Sequence, residues 1–224
     1  MKTKIFTTIL SGLFIGCSTV GTMSSKTPGL NPHSVLVDLY HGTIDPAAKS
    51  AIESAGCQIQ KGDGPITEQA LQSVGVLWIA DNTSRDYQAF EIKAVQSFVK
   101  NGGTLVCAGQ AWSWASYAKK DNRSYPLNQL GAALGFTITA QNIGAPVNLE
   151  SSPYLSGVES VTRNGWWPSR VESQVVGVQP FIRDENLRIM ALVIPSGKGR
   201  IFVFGCEGLV SDNPKIVQNI LMTR

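Results

Sequence analysis

The chain has 224 residues, of which 43% are apolar and 16% charged, and its formal net charge is +3. That length fits one domain, or one domain plus a tail, and is enough to bury a core without disulfide or metal staples. The composition excludes a disordered chain, the small charge gives no footing for nucleic acid, and no run of eighteen apolar residues suits a conventional membrane-spanning helix.

At the start, Lys2 and Lys4 precede a short apolar stretch from Ile5 to Ile15, and Gly16 then precedes Cys17. This is the layout of a secretory signal. Gly16-Cys17 resembles the bacterial lipoprotein signal, whose cysteine thiol takes a diacylglyceryl group. Phe14 departs from that pattern, which more often has Leu there. The resemblance implies a lipid on Cys17, palmitate among its chains, and attachment to a membrane of the bacterial envelope. Ser18, a residue other than Asp after the cysteine, implies the outer membrane, with the body facing the periplasm. An ordinary cleaved signal with Cys17 nearby is the alternative. On this reading residues 1–16 are the signal peptide and 17–32 are the lipidated cysteine and a Ser-, Thr-, Gly- and Pro-rich tether. Residues 33–224 are the body. Losing Lys2 and Lys4 leaves the body nearly neutral.

The body opens on a strand from Ser34 to Tyr40. Asp45-Pro46 then caps and starts a helix that carries Ala48, Ala51, Ile52 and Ala55 on one face and stops at Gly56. Cys57 to Gln60 is a short second strand, and Thr67 caps a brief helix containing Ala70, Leu71 and Val74. Val76 to Ala80 is a wholly apolar third strand, as in a sheet covered on both faces. A helix beginning at Ser84 or Asp86 carries Phe90, Ile92, Val95, Phe98 and Val99, and ends at Gly102-Gly103. Thr104 to Ala108 is the fourth strand. Pro126 to Leu134 is a helix closed by Gly135, and Phe136 to Thr139 a further strand. Residues 140–170 read as irregular. Leu187 to Ile194 and Arg200 to Phe204 flank Pro195-Ser-Gly-Lys-Gly199 as a β-hairpin, with Lys198 and Arg200 in solvent. Asn213-Pro214 starts the last helix. The alternation predicts an α/β fold: a flavodoxin-like, amidotransferase-like three-layer sandwich, mostly parallel, with a C-terminal antiparallel hairpin.

Open α/β sheets bind ligands beyond the carboxyl ends of their strands. Those ends offer a candidate crevice of Tyr40, His41, Asp81, Asn82, Gly109, Gln110, Trp112, Trp114, Cys206 and Glu207. Trp112, Trp114 and Tyr117 cluster just after the fourth strand, where aromatic faces with nearby Gln and Ser can stack on sugars, hold a partner residue or pack in the core. Trp112 and Trp114 diverge by about 200° on a helix, so one faces the core and the other is the better contact. Trp166-Trp167, among Asn164, Gly165 and Pro168, is a candidate partner patch or a cap on the sheet. His41 with Asp45 and Ser113 would imitate a hydrolase triad, but no G-x-S-x-G elbow occurs. A hydrogen-bonded structural histidine is the simpler reading of His41. No cofactor or metal is expected: there is no CxxC, no HExxH and no Cys/His cluster at metal spacing. Cys107 reads as a buried small residue. With Cys57 and Cys206 it makes an odd set that cannot pair fully.

The run Gly102-Gly103-Thr-Leu-Val-Cys-Ala-Gly109-Gln110-Ala111-Trp112-Ser-Trp114 resembles the class I glutamine amidotransferase-like superfamily. Its nearest branch is the domain shared by channel-associated factors and enhancin-like, mucin-degrading metallopeptidases. Gly199-Arg-Ile-Phe-Val-Phe-Gly205-Cys206-Glu207-Gly208 and Ala80-Asp81-Asn82 are similar to the same branch. In active members a nucleophilic Cys stands at the turn after the fourth strand, and a His near the end of a late strand. Here that turn is Ala108-Gly109-Gln110-Ala111, and Cys206 holds the His position, with Glu207 a loose match to the acidic partner. The resemblance therefore implies an amidotransferase-like domain without the inherited chemistry, a pseudoenzyme. The expected work is binding of protein or glycan as an accessory subunit of an envelope assembly, such as a secretion apparatus. A hydrolase using His41 and Glu207, or a glycan binder using Trp112 and Trp114, is the alternative.

Overall fold

The computed structural model describes residues 29–80, 85–162, 164–165 and 167–223. The signal, Cys17, Asp81, Asn82 and Trp166 lie outside the described residues. The parallel half of the main sheet is built from β1 (Asn31–Asp38), β2 (Gln58–Gly62), β3 (Val74–Ala80) and β4 (Thr104–Ala108). Between them run α1 (Pro46–Ser54), α2 (Glu68–Leu71) and α3 (Ala89–Lys100). Next come α4 (Ala111–Tyr117), α5 (Pro126–Leu134), β5 (Phe136–Asn142), β6 (Pro146–Leu149), β7 (Ser169–Ser173) and β8 (Gln179–Asp184). The chain then forms β9 (Ile189–Ser196), β10 (Gly199–Phe204), α6 (Gly208–Ser211) and α7 (Pro214–Met222). β1 begins ahead of the expected boundary at His33: Asn31 and Pro32, assigned to the tether, belong to that strand, and His33 is an exposed residue within it. Val74, expected in the brief helix after Thr67, opens β3 instead.

The eight-stranded sheet has the order β2-β1-β3-β4-β10-β9-β8-β6. The pairs from β2 through β10 are parallel, and those from β10 through β6 are antiparallel. β5 and β7 form a separate antiparallel pair. Alternate residues of the buried strands point to opposite faces. Val35, Val37, Trp78, Val106, Phe202 and Phe204 pack with α1, α6 and α7. Leu36, Leu77, Leu105, Cys107 and Val203 pack with α2 to α5 and the β5–β7 pair. This is a flavodoxin-like three-layer sandwich.

The local signals work as physical chemistry requires. The Asp45 side chain accepts from the Ala47 N–H at 2.7 Å, capping α1 ahead of Pro46. Gly135 closes α5 at φ 88°, a left-handed position that suits glycine. α3 begins later than expected, at Ala89. Gln88 and Glu91 form a capping box there, and the buried face is Glu91, Ala94, Val95, Phe98 and Val99. Phe90, expected in the stripe, is half exposed. The stretch read as irregular contains β6 and the start of β7, and β8 follows it, so the hairpin of β9 and β10 extends into a four-stranded antiparallel half. Arg200 is not solvated as expected: it is half-buried and donates to the Tyr154 hydroxyl at 3.3 Å.

Asp184 organises the β8–β9 turn. Its carboxylate accepts from the Asn186 and Arg188 backbone N–H groups and from Arg188 Nε. Burial works to raise its pKa, but the Arg188 side chain, with these backbone bonds, more than offsets that and holds it below the usual carboxylate value. A group lowered in the folded state contributes stability above its unfolded pKa of about 3.9 and loses it as pH falls through the lowered value. Asp184→Asn is therefore expected to flatten the acid limb of stability below about pH 4, and urea melts at stepped pH check this. An unchanged acid limb would contradict the assignment.

Candidate functional site

In a sheet ordered 2-1-3-4, the strand order reverses between β1 and β3, and ligands customarily bind at the carboxyl ends there. This chain fills that place with its own side chains. After β1 the backbone turns back, so that the Asp38 carboxylate accepts from the Tyr40 and His41 N–H groups, each at 3.2 Å. The His41 ring enters the interior and is fully buried. Its Nδ1 lies 2.9 Å from Asp38 Oδ2, and since a carboxylate only accepts, Nδ1–H donates. Its Nε2 faces Glu91 Oε1 at 3.4 Å. Glu91 is itself buried and accepts from the Ile66 and Gln88 N–H groups. Tyr87 donates to Asp38 Oδ2 at 3.1 Å and stacks on the imidazole with ring centres 4.1 Å apart. Above, Tyr40 packs edge-on against His41 and carries the Arg85 guanidinium over its ring. Thr43 pairs with Ala80 across the top of β1 and β3.

His41 is thus the structural histidine. Its carboxylate partners are Asp38 and Glu91, and the triad imagined with Asp45 and Ser113 is not assembled. Asp45 caps α1 and gives its N–H to Glu207 Oε1 at 2.8 Å, while the Ser113 hydroxyl donates to the Gln110 carbonyl. Cys107 lies in β4 on the same side of the sheet. Burial, with the charge of Asp38 added, pushes its thiol far above the usual range, so it is no nucleophile at neutral pH.

At the end of β4 the backbone passes through Gly109, whose N–H donates to the Phe204 carbonyl. A Cβ on Gly109 would stand 2.2 Å from the Tyr125 hydroxyl oxygen and 2.7 Å from Leu127 Cδ1. Gln110 follows at φ −119°, ordinary backbone and not the strained elbow that presents a nucleophile. Cys206 and Glu207 are buried beyond the end of β10.

Among the described residues, those of the expected crevice do not gather into one open site. His41, Gly109, Cys206 and Glu207 are internal. Trp114 turns inward, its Nε1 donating to Ser124 Oγ and its ring lying 5.9 Å from that of Tyr125. Trp112 is the surface member of the pair. It brings together two segments distant in sequence: its Nε1 and Gln110 Nε2 both donate to the Trp167 carbonyl oxygen, and its backbone N–H donates to Ser169 Oγ. The result is an open cleft of about 400 Å³. Gln110, Trp112, Ser113 and Tyr117 form one wall, and Asn164, Gly165 and Trp167 the other. Tyr117 stands by Trp112, as their clustering in the sequence suggests, with ring centres 5.8 Å apart, and Asn164 and Gly165 reach the cleft as loop neighbours of Trp167.

No curated protein matches the chain in sequence. Residues 78–150 match the family model described as TRPM8, N-terminal domain. That stretch includes the Gly102–Trp114 motif and leaves out the one at Gly199–Gly208. Among solved structures, the mmIFT52 N-terminal domain is similar with a TM-score of 0.65 at 14% identity, over 85% of this chain and 98% of that one. The cytoplasmic protein STM3548 from Salmonella typhimurium gives 0.58 at 10% identity, over 84% and 97%. A ThuA-like protein from Bacteroides uniformis gives 0.50 at 13% identity, over 89% and 92%. At these identities the likeness is one of fold, and it places the chain among the flavodoxin-like sandwiches that include the ThuA-like proteins.

Proposed function

We propose that this chain is a non-catalytic binding module on an amidotransferase-like fold, of the branch that includes the channel-associated factors. It is held at an envelope membrane through lipid on Cys17 and serves as an accessory subunit of an envelope assembly. The observation that carries the loss of chemistry is the turn after β4. Active members of the superfamily carry their nucleophilic Cys in this turn; here Ala108-Gly109-Gln110-Ala111 has none, and Gly109 packs under the Tyr125 hydroxyl with no space for a side chain. The switch-point crevice is taken by His41 and Tyr87, and the open surface is the cleft to which Trp112, Tyr117 and Trp167 contribute. Binding surfaces favour such exposed aromatics because they offer large contact area at low entropy cost.

Metabolic labelling with an alkyne palmitate, followed by membrane fractionation, tests the anchor. The native chain is expected to carry label and sediment with outer membrane, and Cys17→Ala to lose both. A photo-crosslinking amino acid at Tyr117 tests the surface. It is expected to capture an envelope component that the same probe at Leu187, exposed elsewhere, does not. An unlabelled, soluble native chain would overturn the anchor. Equal or absent capture at the two positions would overturn the binding surface.

A further inference from the structure

Resting on the reading of Cys17 as lipidated, we propose that one end of the sandwich is a membrane face, docked end-on against anionic phospholipid headgroups. The described chain enters at Gly29 and Leu30, at the amino end of β1. β1, β3, β4 and β10 are parallel, so the loops leading into β3, β4 and β10 gather at that end. A Cβ on Gly102 would lie 3.8 Å from Lys198 Cβ and 3.9 Å from Leu30 Cδ1, and the Lys198 N–H donates to the Lys100 carbonyl at 3.0 Å. β9 ends there and β8 starts there, because each runs antiparallel to its neighbour. The loop from β7 to β8 arrives at the same place, with Gly177 beside Pro195. α7 also returns to it: Asn219 donates to the carbonyl of Tyr154, whose hydroxyl accepts from Arg200 at the start of β10.

This end presents aliphatic tips among lysines. Val176 is 94% exposed on the loop before β8, which the partly buried Val175 and Val178 hold to the core. Met222, at the end of α7, is 66% exposed. Lys100 and Lys198 are both exposed, and among the described residues neither has an acidic partner. Glu53 and Glu172, near the same end, pair with Lys49 and Arg170, and Glu68 borders the groove beside Leu30.

That combination selects a partner. The centre of a protein interface is depleted of lysine and draws on aromatic rings. At a bilayer surface, short aliphatic side chains enter the boundary between headgroups and acyl chains, while lysines reach the phosphates. Residues 17–29 can span at most about 40 Å, so a lipid on Cys17 would hold this end at high local concentration over the membrane. Docked so, Gln110 and Trp112, beyond the other end of β4, point away from the bilayer.

The test uses the full lipidated chain carrying an environment-sensitive fluorophore on Val176→Cys or, at the opposite end, on Leu187→Cys. Vesicles are of phosphatidylcholine with an equal part of phosphatidylglycerol, or of phosphatidylcholine alone, each with nitroxide-labelled acyl chains as quencher. Flotation reports the anchor. On the mixed vesicles the label in Val176→Cys is expected to be quenched about threefold more than that in Leu187→Cys, and to lose the excess in high salt or on phosphatidylcholine alone. Lys100→Glu/Lys198→Glu is expected to lower the ratio of docked to undocked chain about tenfold. Lys198→Glu by itself lies in an exposed turn and spares the end of α3, so its own loss of about threefold separates docking from folding. A chain that floats with both labels equally quenched or equally free overturns the docking and leaves the anchor standing. Quenching indifferent to salt, lipid charge and both lysines overturns the anionic partner. In cells, a photo-crosslinking amino acid at Val176 is expected to capture lipid, and capture of a protein in its place overturns the membrane face. A chain that does not float takes down the anchor, and the docking with it.

Discussion

His41→Ala is expected to lower stability by about 3–5 kcal/mol and the melting temperature by roughly 10 °C. The imidazole stands between Asp38 and Glu91, all three buried, and it is the side chain that both carboxylates face. Its removal leaves two acidic groups near one another in the interior. It also removes the donor on Asp38 and opens a cavity against Tyr87. The double variant His41→Ala/Asp38→Asn should regain part of the loss, because one of the facing carboxylates is then an amide, whose oxygen can still accept from the backbone N–H groups of residues 40 and 41. Calorimetry of the two variants checks this, and a shift of only a degree or two in the single variant would refute the network. Loss of biological function in His41→Ala would accordingly report on folding. It would not identify a catalytic histidine.

The second large effect is expected at Gly205, where β10 meets β7. A Cβ there would lie 2.0 Å from the Ser169 carbonyl oxygen, and the opposing atoms are backbone, which cannot rotate aside. Gly205 does not have a positive φ, so space alone decides the outcome. The Gly205 carbonyl also accepts from Ser169 N–H, and its own N–H donates to the Met190 carbonyl, so three elements must part to admit a methyl group. Gly205→Ala is expected to cost about 3 kcal/mol, at the upper end for overpacking. The displacement reaches Trp112 through Ser169 Oγ. Hydrogen exchange should therefore show faster exchange at Ser169 and at Trp112 together, and protection unchanged at both would refute the coupling.

The parallel half was legible because its signals are local. Asp45-Pro46, Thr67 and Gly135 act within a turn of where they stand, and Val76 to Ala80 is apolar without interruption. β6, β7 and β8 were hidden because each is short and of mixed polarity. β7, for example, buries Ser169 and Val171 in a run of Ser, Arg, Val, Glu and Ser. Glu91 was hidden by its charge, although its spacing to Val95 and Phe98 puts it on the buried stripe of α3. The divergence of Trp112 and Trp114 was readable from helical geometry. The meeting of Trp112 with Trp167 was not, because no local spacing relates α4 to a loop that follows two further strands.

The place of β10 in the sheet bears on how the chain acquires its structure. β10 sits between β4 and β9, and Thr104 of β4 is opposite Arg200. Until residues 199–204 arrive, β4 has β3 on one side and an open row of amides and carbonyls on the other, flanked by Leu105, Val106 and Cys107. Such an edge is a template for pairing between copies. Closing it requires contacts between distant parts of the chain, which form slowly. A chain that ends before Gly199 would therefore lack the strand that pairs with β4 on that side, and is expected to associate with itself through this edge more readily than the whole chain.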